Sequence, residues 1–390
     1  MNPRLAAVLG ALAFFAAFSA SGQQPVKIGL IMPYSGQFAD ASLQMDNAIK
    51  LYVQKNGDTV AGRKIEFIRR DTGGVPDNAK RHAQELVVRD KVDVLAGFVI
   101  TPEALSTADV SAEAKKFMVV MNAATSVITT RSPYIVRTSV TIPQLEEAFG
   151  AWAYKSGVRK AYTMVADYAP GIDAEGAFHR AFKDAGGQLL GSVRMPVANP
   201  DFVPFVQRAK DLNPESIYVF IPGGAQPGAF GKALTDLRID PKRTKVLGQG
   251  EITDENALKV MGDVGLGMIT VFHYDYNLKS KANADFVGAY KAANGRNPDI
   301  YSIGGWDGMH LIYESLKKTG GKTDGDALIG AAKGMKWESP RGPISIDPET
   351  RDIIQTVYIR RVEKVGGRLV NVEIDKIENV KDPWKTRMPK

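Results

Sequence analysis

The feature that most constrains the fold is a repeated unit: a short apolar run of strand type, a break at small or hydroxyl residues, then a helical pattern. VDVLAGFVITPEALSTADV, Val92 to Val110, shows it most clearly. Proline is favoured at the first helical position, so Pro102 predicts a helix opening there, with Thr101 as its N-cap. Such a terminus exposes unpaired backbone N–H groups and the positive end of the helix dipole. That is a seat for a carboxylate. The next unit, KFMVVMNAATS (Lys116 to Ser126), places Ala123, Ala124 and Thr125 after its strand, where small side chains leave the backbone accessible. Taken alone, both stretches read better as ordinary strand-to-helix turns of a parallel sheet. The rest of the chain changes that balance.

From Val26 the pattern is strand, helix, strand, helix. VKIGLIM (Val26–Met32) is an almost unbroken apolar run, as expected of a strand buried on both faces. Met45, Ile49, Tyr52 and Val53 recur at helical spacing after it. KIEFIRR (Lys64–Arg70), the two units above and YIVRT (Tyr134–Thr138) complete a doubly wound α/β domain. After Thr141 the pattern restarts through KAYTMVAD, LLGSVRM, SIYVFIP, TKVLG and GMITVFHY. Helices return at 279–294 and 301–318. IIQTVYIRRVEK and LVNVEID then read as an antiparallel pair turned at Gly366–Gly367. The 390 residues suffice for two such domains. In sheets of this class, ligands bind beyond the carboxyl ends of the strands, where Thr101 and Ala123 to Thr125 are placed.

The N-terminus reads as an export signal: Arg4, an apolar run from Leu5 to Phe18, then Ser19 to Gly22. The run is too short to span a bilayer. The chain has no cysteine, which excludes disulfides, thiol catalysis and a lipid-bearing cysteine. A free, unlipidated periplasmic protein is the expectation. The formal charge of +7 is scattered, and no nucleic-acid motif occurs. His82, His179, His273 and His310 lack a second ligand at metal spacing, and no GxSxG, HExxH or Walker loop is present. No enzyme activity, metal or cofactor is expected.

Several stretches together resemble the branched-chain amino-acid-binding family of type I periplasmic binding proteins, which serve ABC importers. They are VKIGLIMPYSGQFA, Asp71 after the second strand, VDVLAGFVITPEA, MVVMNAATS, VADYAPGID and KANADFVGAYKAANGRNPDIYSIGGWDGMHLI. Each is weak alone, and their order and spacing carry the resemblance over nearly all of the mature chain. It implies two doubly wound Rossmann-like lobes joined by three crossover segments, near Thr141, near His273 and between Asp347 and Ile353. The expected layout is a signal peptide at 1–21, an N-terminal lobe of 24–141 and 275–347, and a C-terminal lobe of 142–274 and 348–385. A monomer working with permease subunits in the inner membrane is implied, closing on its ligand by hinge motion.

The resemblance also implies where the ligand sits. Its carboxylate would be held at Thr101, Ala123 and Thr125, with Val99 close by and Ala124 between. Tyr301 matches a lining aromatic, and the loop Asp167–Asp173 matches one that caps the ligand. In that loop Gly171 stands nearest the family's usual tyrosine, and Tyr168 is expected to face the cleft. Phe98 is equally readable as core or cleft. Amino-acid binders carry an acid for the ligand's ammonium in the loop that here reads GQGEITDE. Gly250 takes the acid's place, with Glu251 one residue late. That departure, and the likeness of DYAPGID, IPGGAQ and SPRGPISIDPETRDI to members that take aromatic carboxylates, points to an aromatic acid of benzoate or phenylpropenoate type. An amino-acid ligand stays open, because a one-residue shift of the loop would bring Glu251 to an ammonium. A ligand-sensing receptor module is a further alternative.

Overall fold

The computed structural model describes residues 24–241 and 243–387. The expected signal segment, 1–21, lies outside the described residues. Val26–Met32 is buried at all but one position and pairs in parallel with Arg63–Asp71 on one side and Val94–Gly97 on the other. Phe117–Val120 and Ile135–Arg137 continue the sheet in parallel, and Thr59–Val60 closes the opposite edge antiparallel. The parallel strands thus run in the spatial order second, first, third, fourth, fifth. The order reverses beside Val26–Met32, which opens a crevice at the strand ends there.

The larger sheet repeats this order with Gln188–Met195, Lys160–Ala166, Ser216–Phe220, Lys245–Gln249 and Ile269–Phe272. Ile353–Val365 then adds antiparallel to Ile269–Phe272, and Arg368–Val380 pairs with it through the turn at Gly366 and Gly367. The hairpin of Lys336–Ser339 and Gly342–Ile346 joins at the start of Ile353–Val365, yet Ile344 and Ile346 pack in the core of the smaller sheet. Two doubly wound α/β lobes result. No helix among the described residues is long and apolar enough to cross a membrane.

One helix matters most for the cleft. Ile300–Lys318 lies against the end of Phe117–Val120 and against the helix Ala39–Asn56. Gly304 and Gly305 permit that approach: a Cβ on them would stand 2.1 Å from the Met121 carbonyl oxygen and 2.5 Å from that of Met45. The N-cap Asp299 accepts from the backbone N–H groups of Tyr301 and Ser302. Tyr301 is thereby fixed at the mouth of the cleft.

The chain passes between the sheets three times, and a buried arginine holds each passage. Arg341 reads from sequence as a turn residue or an anion contact; it does sit in the turn between Lys336–Ser339 and Gly342–Ile346, and its buried side chain bonds the passages between the sheets. It is 1% exposed, donates to the carbonyls of Thr138 and Ser139 and to Gln355, and pairs with Asp307 at 2.9 Å. Arg137 pairs with Asp352 at 2.9 Å, linking the first passage to the third. Arg360 pairs with Asp275 at 2.8 Å and donates to the Tyr274 carbonyl at the second. Backbone carbonyls that leave a sheet need such donors when buried. Removing one partner of a buried ion pair strands the other charge, which costs about 3–5 kcal/mol. We therefore expect Arg341→Met to lower unfolding stability by about that amount. Denaturant unfolding with an unchanged midpoint would contradict the assignment.

Candidate functional site

The carboxyl ends of both sheets face one cavity. It encloses about 590 Å³ of space, part of it open to solvent. From the smaller sheet's side come Val99, Ile100, Thr101, Asn122, Ala123 and Ala124, with Phe38, Ile300 and Tyr301. From the larger sheet's side come Tyr168, Pro170, Phe220, Pro222, Gly223, Gln249, Glu251, Phe272 and His273. Among the described residues, the wall carries no lysine or arginine and a single acid, Glu251.

Thr101 is not the N-cap. Ile100, extended at φ −117°, holds that place, and Thr101 is the first residue of the helix Thr101–Glu113. Pro102 sits comfortably one position further in, since its missing N–H would have no partner there. Freed from capping, the Thr101 hydroxyl meets the Thr125 hydroxyl at 3.0 Å. Thr125 stands behind Thr101 and off the cavity wall. Arg137 donates to the carbonyls of Ala123 at 3.0 Å and Thr125 at 2.9 Å. In a trans peptide the N–H points opposite to the carbonyl. The N–H groups of Ala124 and Ser126 are therefore turned away from Arg137. That of Ser126 donates across to Asp173 Oδ2 of the opposing lobe at 3.3 Å.

Three residues expected at the site lie elsewhere. Phe98 is fully buried with Ile31, Leu95 and Ala104 in the outer core of the smaller sheet, at φ +64°. Its left-handed backbone turns the side chain out of the cleft and lets its carbonyl accept from Ala123 N–H. Gly171 is not in a loop, because the helix Ala169–Asp184 begins before it with Tyr168 as N-cap. It serves close packing: a Cβ there would stand 1.9 Å from the Ala166 carbonyl oxygen. Gly250 lines a second cavity behind the cleft, with Asp254, Asp275, Asp299 and Arg360. A Cβ on it would meet Arg360 and Phe272 at 2.3 Å. The acid that faces the cleft is Glu251.

Glu251 separates the two cavities. Its Oε2 accepts from Gly223 N–H at 2.9 Å and its Oε1 from the Tyr301 hydroxyl across the cleft at 3.3 Å. Burial pushes its carboxyl up to about 7, against the two hydrogen bonds, which favour the ionised form. Burial, aided by Arg341 and Arg360, holds His273 well below the ordinary histidine range, so its imidazole is neutral. Its Nδ1 has no hydrogen-bond partner among the described residues. Gln249, Phe220, Phe272 and His273 went unseen in the sequence. The signal was present: each ends or follows a strand of the second lobe.

Residues 25–367 match the model of the periplasmic binding protein family. The chain belongs to that family. Within it the chain is a type I protein of the branched-chain amino-acid-binding group, and its role is that of an ABC-transporter solute-binding protein. This is a transport family, not an enzyme family. A solved solute-binding protein from Rhodopseudomonas palustris BisB5, in complex with 3,4-dihydroxybenzoic acid, is 53% identical. It covers 93% of this chain and 99% of its own at a TM-score of 0.90. Another from Rhodopseudomonas palustris HaA2, in complex with p-hydroxybenzoic acid, is 40% identical, covering 93% and 100% at 0.90. A Brucella abortus relative called Leu/Ile/Val-binding protein homolog 6 is 41% identical over 96% of this chain and 97% of its own.

The Glu251 environment has a direct consequence. Ionising a carboxyl whose folded value lies above its ordinary 4.5 costs stability. That contribution is whole below the ordinary value and is lost as pH rises through about 7. The Tyr301 hydroxyl favours the ionised form, so Tyr301→Phe should raise the Glu251 midpoint further. Carboxyl-carbon NMR titration of the ligand-free protein reads both midpoints. A Glu251 midpoint in the ordinary range, or a fall in Tyr301→Phe, would contradict this.

Proposed function

We propose that this solute-binding protein captures an aromatic carboxylate, of benzoate or phenylpropenoate type, between its lobes and delivers it to inner-membrane permease subunits. It does so as an exported, unlipidated periplasmic monomer. The observation that carries the reading is the makeup of the wall. Phe38, Tyr168, Phe220, Phe272 and Tyr301 supply flat apolar surface for a ring. No cationic side chain competes for the carboxylate, so its charge falls to hydroxyls and N–H dipoles. Thr101, at the first turn of its helix, and the backbone N–H groups of Ala124 and Thr125 are the donors assigned to it, with Ala123, whose N–H is given to Phe98, shaping the seat. Val99 and Ala124 complete that seat. The aromatic acids bound by the two Rhodopseudomonas palustris proteins support the same class of ligand here.

A second reading has its own observation. Glu251 faces the cleft, where an ammonium would find a carboxylate, and the Brucella relative carries a branched-chain amino-acid name. A melting scan separates the two. Ligand at about a hundred times its dissociation constant stabilises by ~2.7 kcal/mol. We expect 4-hydroxybenzoate, benzoate or coumarate to raise the melting temperature, and leucine, valine and phenylalanine to leave it unchanged. The reverse pattern makes the protein an amino-acid binder. A hydrogen bond to a charged group contributes about 1.5–3 kcal/mol, so Thr101→Val should weaken aromatic-acid binding roughly tenfold or more. Unchanged affinity by calorimetry would move the carboxylate seat elsewhere.

A further inference from the structure

We propose that the cleft selects a hydroxyl on the ligand's ring, so that the cargo is a hydroxylated aromatic acid, with Glu251 and Tyr301 as the selecting pair. This rests on the aromatic-acid reading above. Thr101 and Glu251 stand on walls contributed by opposite lobes. A ring whose carboxylate is held at Thr101 presents its far edge to the other wall. That wall is largely apolar, with Phe220, Phe272 and Pro222, except around Glu251.

The polar atoms there are incompletely used. The Tyr301–Glu251 hydrogen bond is long at 3.3 Å, which leaves Oε1 open to a better donor. A bare C–H edge pressed onto Glu251 would desolvate its carboxyl without replacing the bonds it makes with water. A ring hydroxyl supplies one donor and accepts in return, so it satisfies the Glu251 carboxyl whether that group is ionised or protonated. An ammonium fits less well. It carries three donors and a full charge. Glu251 is the single acid on the wall and already accepts two hydrogen bonds. Sites built to bond a hydroxyl discriminate strongly against analogues that lack it.

The test is the ratio of affinities for 4-hydroxybenzoate and benzoate, measured by calorimetry on the mature protein. In the unaltered protein the hydroxylated acid should bind at least roughly tenfold more tightly. In Glu251→Leu the ratio should fall to near one, and in Tyr301→Phe it should fall severalfold. A general disturbance of the fold would move both affinities together and leave the ratio intact. The second variant keeps the test decisive if the first does not fold. Equal affinities in the unaltered protein, or a ratio that survives both variants, overturn the hydroxyl assignment alone. If neither aromatic acid binds and leucine does, the aromatic-acid reading itself is overturned.

Discussion

The site depends first on Arg137. This guanidinium is fully buried, pairs with Asp352, and donates to the carbonyls of Ala123 and Thr125. Lys385 adds a second cation beside Asp352. A buried charge is tolerated only when paired and fully bonded, so this cluster has few alternative arrangements. Its position therefore fixes the backbone that follows Phe117–Val120. With the carbonyls turned to Arg137, the intervening N–H groups face the other way. The same contact joins the first passage between the lobes to the third. Cleft geometry and hinge geometry thus share one ion pair.

A second constraint is that no described residue of the cavity wall carries a cation. The positive side chains nearest the hinge, Arg137, Arg341 and Arg360, are spent on backbone carbonyls and on Asp352, Asp307 and Asp275. An anion held by dipoles is bound without the penalty of taking a lysine or arginine out of water. It also leaves the open lobes free of a strong electrostatic attraction across the gap. Two of the contacts between the lobes, Tyr301 to Glu251 and Ser126 to Asp173, are single hydrogen bonds of 3.3 Å, and a third, from Asn297 to Glu255, is one of 3.0 Å. Burial pushes the Asp173 carboxyl up to about 6, so it stays mostly ionised at neutral pH and the contact loses its charge only in mild acid.

Much of the fold was legible because its signals are local. The unbroken apolar run of Val26–Met32, the restart after Thr141 and the Gly366–Gly367 turn each declare themselves within a few residues. The site was legible only where a strand end determines it, as at Thr101, Ala123 and Tyr168. Phe98 read equally well as core or cleft, because its direction depends on a positive φ that its residue type does not reveal. Gly250 and Glu251 were distinguished by a single residue of loop register, which the packing of Phe272 and Arg360 against Gly250 decides. The roles of Arg137 and Arg341 were invisible, since their partners at Asp352 and at Thr138 and Ser139 lie some two hundred residues away in the chain.

The central claim is that the cleft holds a ligand's carboxylate by hydroxyl and backbone dipoles at the end of the smaller sheet. A crystal structure of the protein with 4-hydroxybenzoate tests it most directly. The account requires the carboxylate oxygens within hydrogen-bond distance of the Thr101 hydroxyl and of N–H groups between Thr101 and Thr125, with the ring between Tyr168, Phe220 and Phe272. A carboxylate seated instead against an arginine or lysine, or a ligand lying outside the cavity bounded by Thr101 and Glu251, would contradict it.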